Sequence, residues 1–252
     1  MRASVITNDM VFEFGAFAAG LAAWAWSREG RRRTGDLVAT TPRAVWARQS
    51  IALAGTLGWM LLAFLAGVAV LYIQTALQAT WGGPPLWPVL VGAAAVIAVT
   101  MIGFTCGVVF PGRFTAPLVT IGALVLDRAG LHQALNVTAS SGTYALLSPA
   151  SAPPPVDAGV YYHVAPDLPI VQVMFMGGIA VAVFGVLGLV AGLREPGSAG
   201  RWLARLVAVV LVACGLAAAW TGFTLAGTAQ PDAVAGGWEI PALHSADRKS
   251  VV

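Results

Sequence analysis

Residues 28–48 read REGRRRTGDLVATTPRAVWAR, a polar segment with six arginines between two long apolar stretches. Downstream, apolar blocks alternate with short polar breaks. An apolar run of about 20 residues matches the hydrocarbon thickness of a bilayer at helical rise, so each block predicts a membrane-crossing helix. Six blocks are legible, at about 10–26, 50–77, 87–110, 114–127, 170–193 and 202–226. The expected fold is therefore all-α, a polytopic transmembrane helical bundle of about six helices within residues 1–227. The 129–169 loop is expected to carry short outer-face helices. Residues 228–252 read as an extracytoplasmic tail, the start of a truncated outer domain.

Composition agrees with a membrane solvent. The chain of 252 residues is 58% hydrophobic and 10% charged, with mean hydropathy +0.79. A soluble domain carries about a quarter of its residues as charges. The net charge of +3 and pI near 9.2 do not point to nucleic acid, because the arginines cluster at the ends of apolar blocks, where they set topology. Cys106 and Cys214 both fall inside apolar blocks and define no disulfide framework. The first block carries Glu13 within it and arginines after it, the reverse of a signal peptide's charge order.

Basic residues in short loops set the orientation. With 27–49 in the cytoplasm, the inside receives Arg28, Arg31, Arg32, Arg33, Arg43, Arg48, Arg113, Arg194, Arg201 and Arg205 against Glu29, Asp36 and Glu195. The outside receives Arg2, Arg128, Arg248 and Lys249 against eight acids. The fourth block is short for a span, and charge bias argues that it crosses: otherwise Arg194, Arg201 and Arg205 fall outside. Between the second and third blocks, QATWGGPPL (78–86) predicts a tight outer turn with Trp81 and Trp87 at the interface.

Several chemistries have no residues to carry them. A phosphate-binding P-loop needs a lysine after its glycines, and the only lysine is Lys249. His132, His163 and His244 are scattered without zinc-ligand spacing, and no serine sits in a GxSxG frame. His163 and Asp167 flank Pro166, which suits a surface loop better than a catalytic pair. No catalytic residue, cofactor or metal site is expected. Glu13 is the clear ionisable residue within a block and the one intramembrane polar candidate. It reads first as a side chain reaching the outer interface, and a proton-coupled carrier would rest on it alone. Gly103 with Gly107, and Gly188 with Gly192, have the spacing of close-packed helices or of a dimer seam.

Positive-inside bias accounts for Arg31–Arg33 but not for Thr34–Pro42. Asp36 is placed to begin a short helical turn carrying Leu37 and Val38, and Pro42 with Arg43 starts the rise toward the next helix. A short, partly apolar, charged helix of this kind suits docking into a groove of a soluble protein.

The order of these segments resembles the membrane-spanning permease subunit of type-2 ATP-binding-cassette (ABC) transporters, in the variety found in high-GC Gram-positive bacteria. The stretches that carry the resemblance are SREGRRRTGDLVATTPRAVWARQ (27–49), ATWGGPPLWPVLVG (79–92), PGRFTAPLV (111–119) and SPASAPPP with VYYHVAPDLPIVQ (148–172). It implies a subunit of about six helices that pairs as a homo- or heterodimer and sits on separate ATP-binding-cassette ATPase subunits. It also implies a coupling loop at 27–49, with Arg31, Arg32, Arg33, Asp36, Leu37, Thr40, Thr41, Pro42 and Arg43 as the surface that meets the ATPase. In that alignment the chain lacks the first family helix, its sixth block becomes an extra helix, and relatives continue into an outer domain. The rival expectation is a multi-helix membrane anchor or sensor presenting an extracytoplasmic domain.

Overall fold

Each apolar block becomes a helix, and most of the helices outrun their blocks. A computed structural model describes residues 2–31, 44–78, 86–135, 167–194 and 201–236. They form α1 (Arg2–Arg31), α2 (Val45–Gln78), α3 (Trp87–Val109), α4 (Thr115–Leu135), α5 (Asp167–Arg194) and α6 (Arg201–Gly236), with no strand among the described residues. The all-α bundle of six helices is thus the fold. Four stretches are long and apolar enough to cross a bilayer: Val45–Leu77, Trp87–Val109, Pro169–Arg194 and Trp202–Ala226. This is the make-up of a multi-pass membrane protein. The apolar part of α4 is shorter, Thr115–Leu126, although the whole helix reaches about 32 Å at 1.5 Å per residue.

Hydropathy marks only the part of a helix inside the hydrocarbon. The helix itself stops where its backbone meets a breaker or cap. α1 runs from Arg2, well before the apolar block, to Arg31, and α2 begins at Val45. The 27–49 segment is correspondingly shorter as a connection than its composition suggests. Ser27 Oγ donates to the Trp24 carbonyl at 3.1 Å and Ser50 Oγ to the Trp46 carbonyl at 2.8 Å, so these polar residues stay inside helices. α6 likewise runs past Ala226 to Gly236, making the first residues of the expected tail helical. α3 nearly matches its block because Pro88 starts it in the first turn and Pro111 follows its end. Residues 79–85, where a tight outer turn is expected, and residues 136–166, where short outer-face helices are expected, lie outside the described residues.

Helix packing rests on small residues. α1 buries Ala16, Ala19, Ala22 and Ala23, a face without bulk. Against it, Gly103 and Gly107 of α3 meet the backbone of Ala19 and Ala23, and a Cβ on Gly107 would sit 2.6 Å from the Ala23 carbonyl oxygen. Lipid tails supply no hydrophobic drive for helix association, so such close contact is what holds these helices together. The Gly103–Gly107 pair is thus an internal seam. Gly188 and Gly192 are also used internally, against Trp46 with Ala208, and against Arg205.

α5 and α6 form the tightest pair, in antiparallel register. Phe175 meets Gly222, Gly178 meets Ala219, Ala182 meets Gly215 and Gly185 meets Val212. The contacts advance by alternating steps of four and three residues, as expected for two helices that keep one face together. Val171 and Ala226 continue the seam.

Candidate functional site

The residues that flank the expected coupling loop all come to one end of the bundle. Trp26 of α1 lies 5.2 Å from Phe104 of α3, and both join a core cluster with Ala22, Leu53, Val108 and Leu187 from four helices. Trp46 of α2 packs on Phe184 of α5 at 5.7 Å between ring centroids. The Arg194 guanidinium, at the end of α5, donates to the Val108 carbonyl at 2.8 Å. Arg205, near the start of α6, donates to the Gly192 carbonyl at 2.9 Å. The last turns of α1, α3 and α5 and the first turns of α2 and α6 therefore share one end.

The link between α3 and α4 belongs to this end too. It covers residues 110–114, and the Thr115 hydroxyl stitches it by donating to the Phe110 carbonyl and accepting from the Gly112 N–H at 3.2 Å. So short a link leaves Arg113 at the mouth of the bundle. Its guanidinium lies over Phe114 at 4.6 Å, and Arg28 lies over Trp24 at 5.3 Å. Such arginine–aromatic pairs suit the headgroup region, where the ring faces lipid and the charge faces water.

All arginines with described side chains (Arg28, Arg48, Arg113, Arg194 and Arg205) are thus at this end. Two of them also complement helix C-termini, whose unpaired carbonyls carry partial negative charge: Arg194 does so for α3 and Arg205 for α5.

Of the expected coupling residues, Arg31 is the last residue of α1. Arg32, Arg33, Asp36, Leu37, Thr40, Thr41, Pro42 and Arg43 lie outside the described residues, together with the helical turn expected at Asp36. The segment that holds them leaves α1 and enters α2 at the arginine end.

Glu13 is exposed, on the half of α1 away from that end, and it is the only carboxylate among the described side chains. Nearby Phe14 packs on Phe64 of α2 at 6.1 Å. No group of three or more His, Cys, Asp or Glu that could hold a metal occurs among the described residues. Cys106 is half-buried, Cys214 is exposed, and both are free thiols. An open groove of about 550 Å³ lies between α5 and α6, lined by Phe175, Leu216, Ala217, Ala219, Trp220 and Phe223. Its walls offer no charged or strongly polar group, as expected of a face toward lipid tails.

Two packed residues are not evident from composition. Trp46 and Gln49 sit where the sequence suggests a solvated loop, yet both belong to α2; Trp46 is half-buried and Gln49 is 1% exposed. The available signal was spacing: Gln49 precedes buried Leu53 by four residues and so shares its face.

Compared with family models, curated proteins and solved structures, the chain matches none.

Proposed function

We propose that this chain is the membrane-spanning permease subunit of an ABC transporter, in which ATP hydrolysis on a separate subunit drives substrate across the membrane. The observation that carries the reading is the gathering of Arg28, Arg48, Arg113, Arg194 and Arg205 at the end where the 32–43 segment leaves the bundle. That end is the cytoplasmic one under the positive-inside rule. The chain is then a multi-pass protein of a bacterial cell membrane with its 27–49 region cytoplasmic, α4 crossing, and the residues after α6 extracytoplasmic.

Closure of the partner ATPases presses on Arg31–Arg33, Asp36, Leu37 and Thr40–Arg43. α1 and α2 flank that segment and both contact α3, so the push reaches the bundle core directly. Paired permease subunits, of the same or a second kind, then open a path between them. The absence of a P-loop lysine before Lys249 agrees with hydrolysis on another chain.

The test is ATP hydrolysis by the complex purified with its native partner. With Arg31, Arg32, Arg33 and Arg43 replaced by Gln, and insertion verified, the ATPase is lost from the complex or loses its response to the permease. Equal association and equal hydrolysis by the inserted variant contradict the proposal.

One observation favours a second reading. α6 contacts the rest of the bundle through α5 and continues ten residues past Ala226. A helix extended in this way suits an anchor or sensor that presents an outer domain, and such a protein co-purifies with no ATPase.

A further inference from the structure

Polar side chains in this bundle are generally satisfied within their own helix. Ser50, Thr56, Thr75 and Thr120 each donate to the carbonyl four residues earlier, at 2.8–3.0 Å. Two polar atoms at the arginine end of α2 are not. Trp46 Nε1 and Gln49 Oε1 are both buried, and among the described residues neither has a hydrogen-bond partner. A third such atom, Thr100 Oγ1, lies midway along α3, away from this end.

Trp46 and Gln49 are three residues apart and so lie on one face of α2. The Trp46 ring rests against Phe184 and Gly188 of α5. Turning the Gln49 amide over only exchanges an unpaired acceptor for an unpaired donor. A buried polar atom without a partner raises the free energy of the arrangement that buries it. If the arginine end marks the membrane boundary, these residues, in the first two turns of α2, are within reach of water.

The rest of α2 permits movement. It is the least enclosed of the four long helices: 11% of its most apolar window is buried, against 44% for α3. Just beyond Leu53 come Gly55 and Gly58, where an added Cβ would meet nothing within 4 Å. Packing therefore gives no reason for glycine there, and glycine inside a helix makes it easier to bend.

We propose that the first three turns of α2 form a gate against the last three turns of α5. In the closed arrangement Trp46, Leu53, Phe184 and Leu187 pack together, with Trp46 Nε1 and Gln49 Oε1 dry. In the open arrangement the Val45–Ala54 segment bends away at Gly55 and Gly58, and both polar atoms take water. Apolar packing favours closure, and the two unpaired atoms favour opening. The gate is a property of the bundle and does not depend on the transport reading.

The test uses the full chain in membranes, with Cys106 and Cys214 replaced by Ala and Leu53→Cys as reporter. Leu53 is 3% exposed and belongs to the closed packing itself, so a water-soluble maleimide reads its opening. Gln49→Met keeps the volume and removes the unpaired oxygen. It is expected to slow labelling about tenfold, the factor that relief of one buried unsatisfied group produces. Gly55→Ala with Gly58→Ala should slow it as well. If Gln49→Met does not insert, Trp46→Phe carries the same test. Labelling that is unchanged or faster in the Gln49 variant overturns the proposal, as does a reporter that stays unlabelled in the parent.

Discussion

Arg194 donates to the carbonyl of Val108 across 86 residues of sequence, at 2.8 Å, and so ties the end of α5 to the end of α3. The bond occupies a carbonyl that α3, in its last turn, leaves without a helical partner. It also places a positive charge at the negative end of a helix dipole. Arg194 thus joins two helices and complements the end of one of them.

Arg194→Ala should therefore loosen the α3–α5 contact. The side chain is exposed, so solvent screening discounts the charge-assisted bond to about 1 kcal/mol. A fall of about 2–4 °C in the thermal unfolding midpoint in mild detergent is expected. Arg194→Lys should recover only part of it, because an ammonium lacks the planar fork of the guanidinium. An unchanged midpoint in Arg194→Ala would show that the bond contributes nothing.

The glycine seams predict a contrast between positions of the same residue type. At Gly103 a side chain would run into the backbone of Ala19, whereas at Gly67 it would meet nothing within 4 Å. Gly103→Leu should cost about 1–3 kcal/mol or more by forcing α1 from α3. Gly67→Ala should be neutral or stabilising by up to about 1 kcal/mol, since it removes a flexible residue from a helix interior. Unfolding of the two variants side by side checks this, and equal effects would refute the α1–α3 packing.

How far this architecture is written in the sequence varies by feature. Six helices are legible because apolar runs between polar breaks mark them, and four of these runs are long and apolar enough to cross a bilayer. Helix ends are less so: Ser27, Arg28 and Arg48 look like loop residues by composition but lie in α1 and α2. The small-residue spacing at Gly103 and Gly107 is visible, while the partner helix is not, because α1 presents alanines and no motif of its own. Trp46 and Gln49 were hidden for a related reason, since a polar residue beside arginines reads as solvated until a neighbouring helix is seen to cover it. The 32–43 segment has the strongest chemical character in the sequence, yet its residues lie outside those described.

The proposed sidedness rests on the shared arginine end and is open to direct labelling. Single cysteines at Ala47, Phe114 and Trp202, in a background without Cys106 and Cys214, should all react with an impermeant maleimide from the cytoplasmic face alone. Single cysteines at Leu77 and Leu86 should react from the opposite face. Phe114 and Trp202 bracket α4 and α5, so labelling of those two from opposite sides would mean that α4 does not cross.

Isolation of the tagged chain from its native membrane in mild detergent, with mass spectrometry of the proteins that accompany it, tests the central claim most directly. A permease subunit brings with it a stoichiometric P-loop ATPase, which disappears when residues 31–43 are replaced in a chain that still inserts. Recovery of the intact chain without any ATPase would contradict that claim and favour the anchor or sensor.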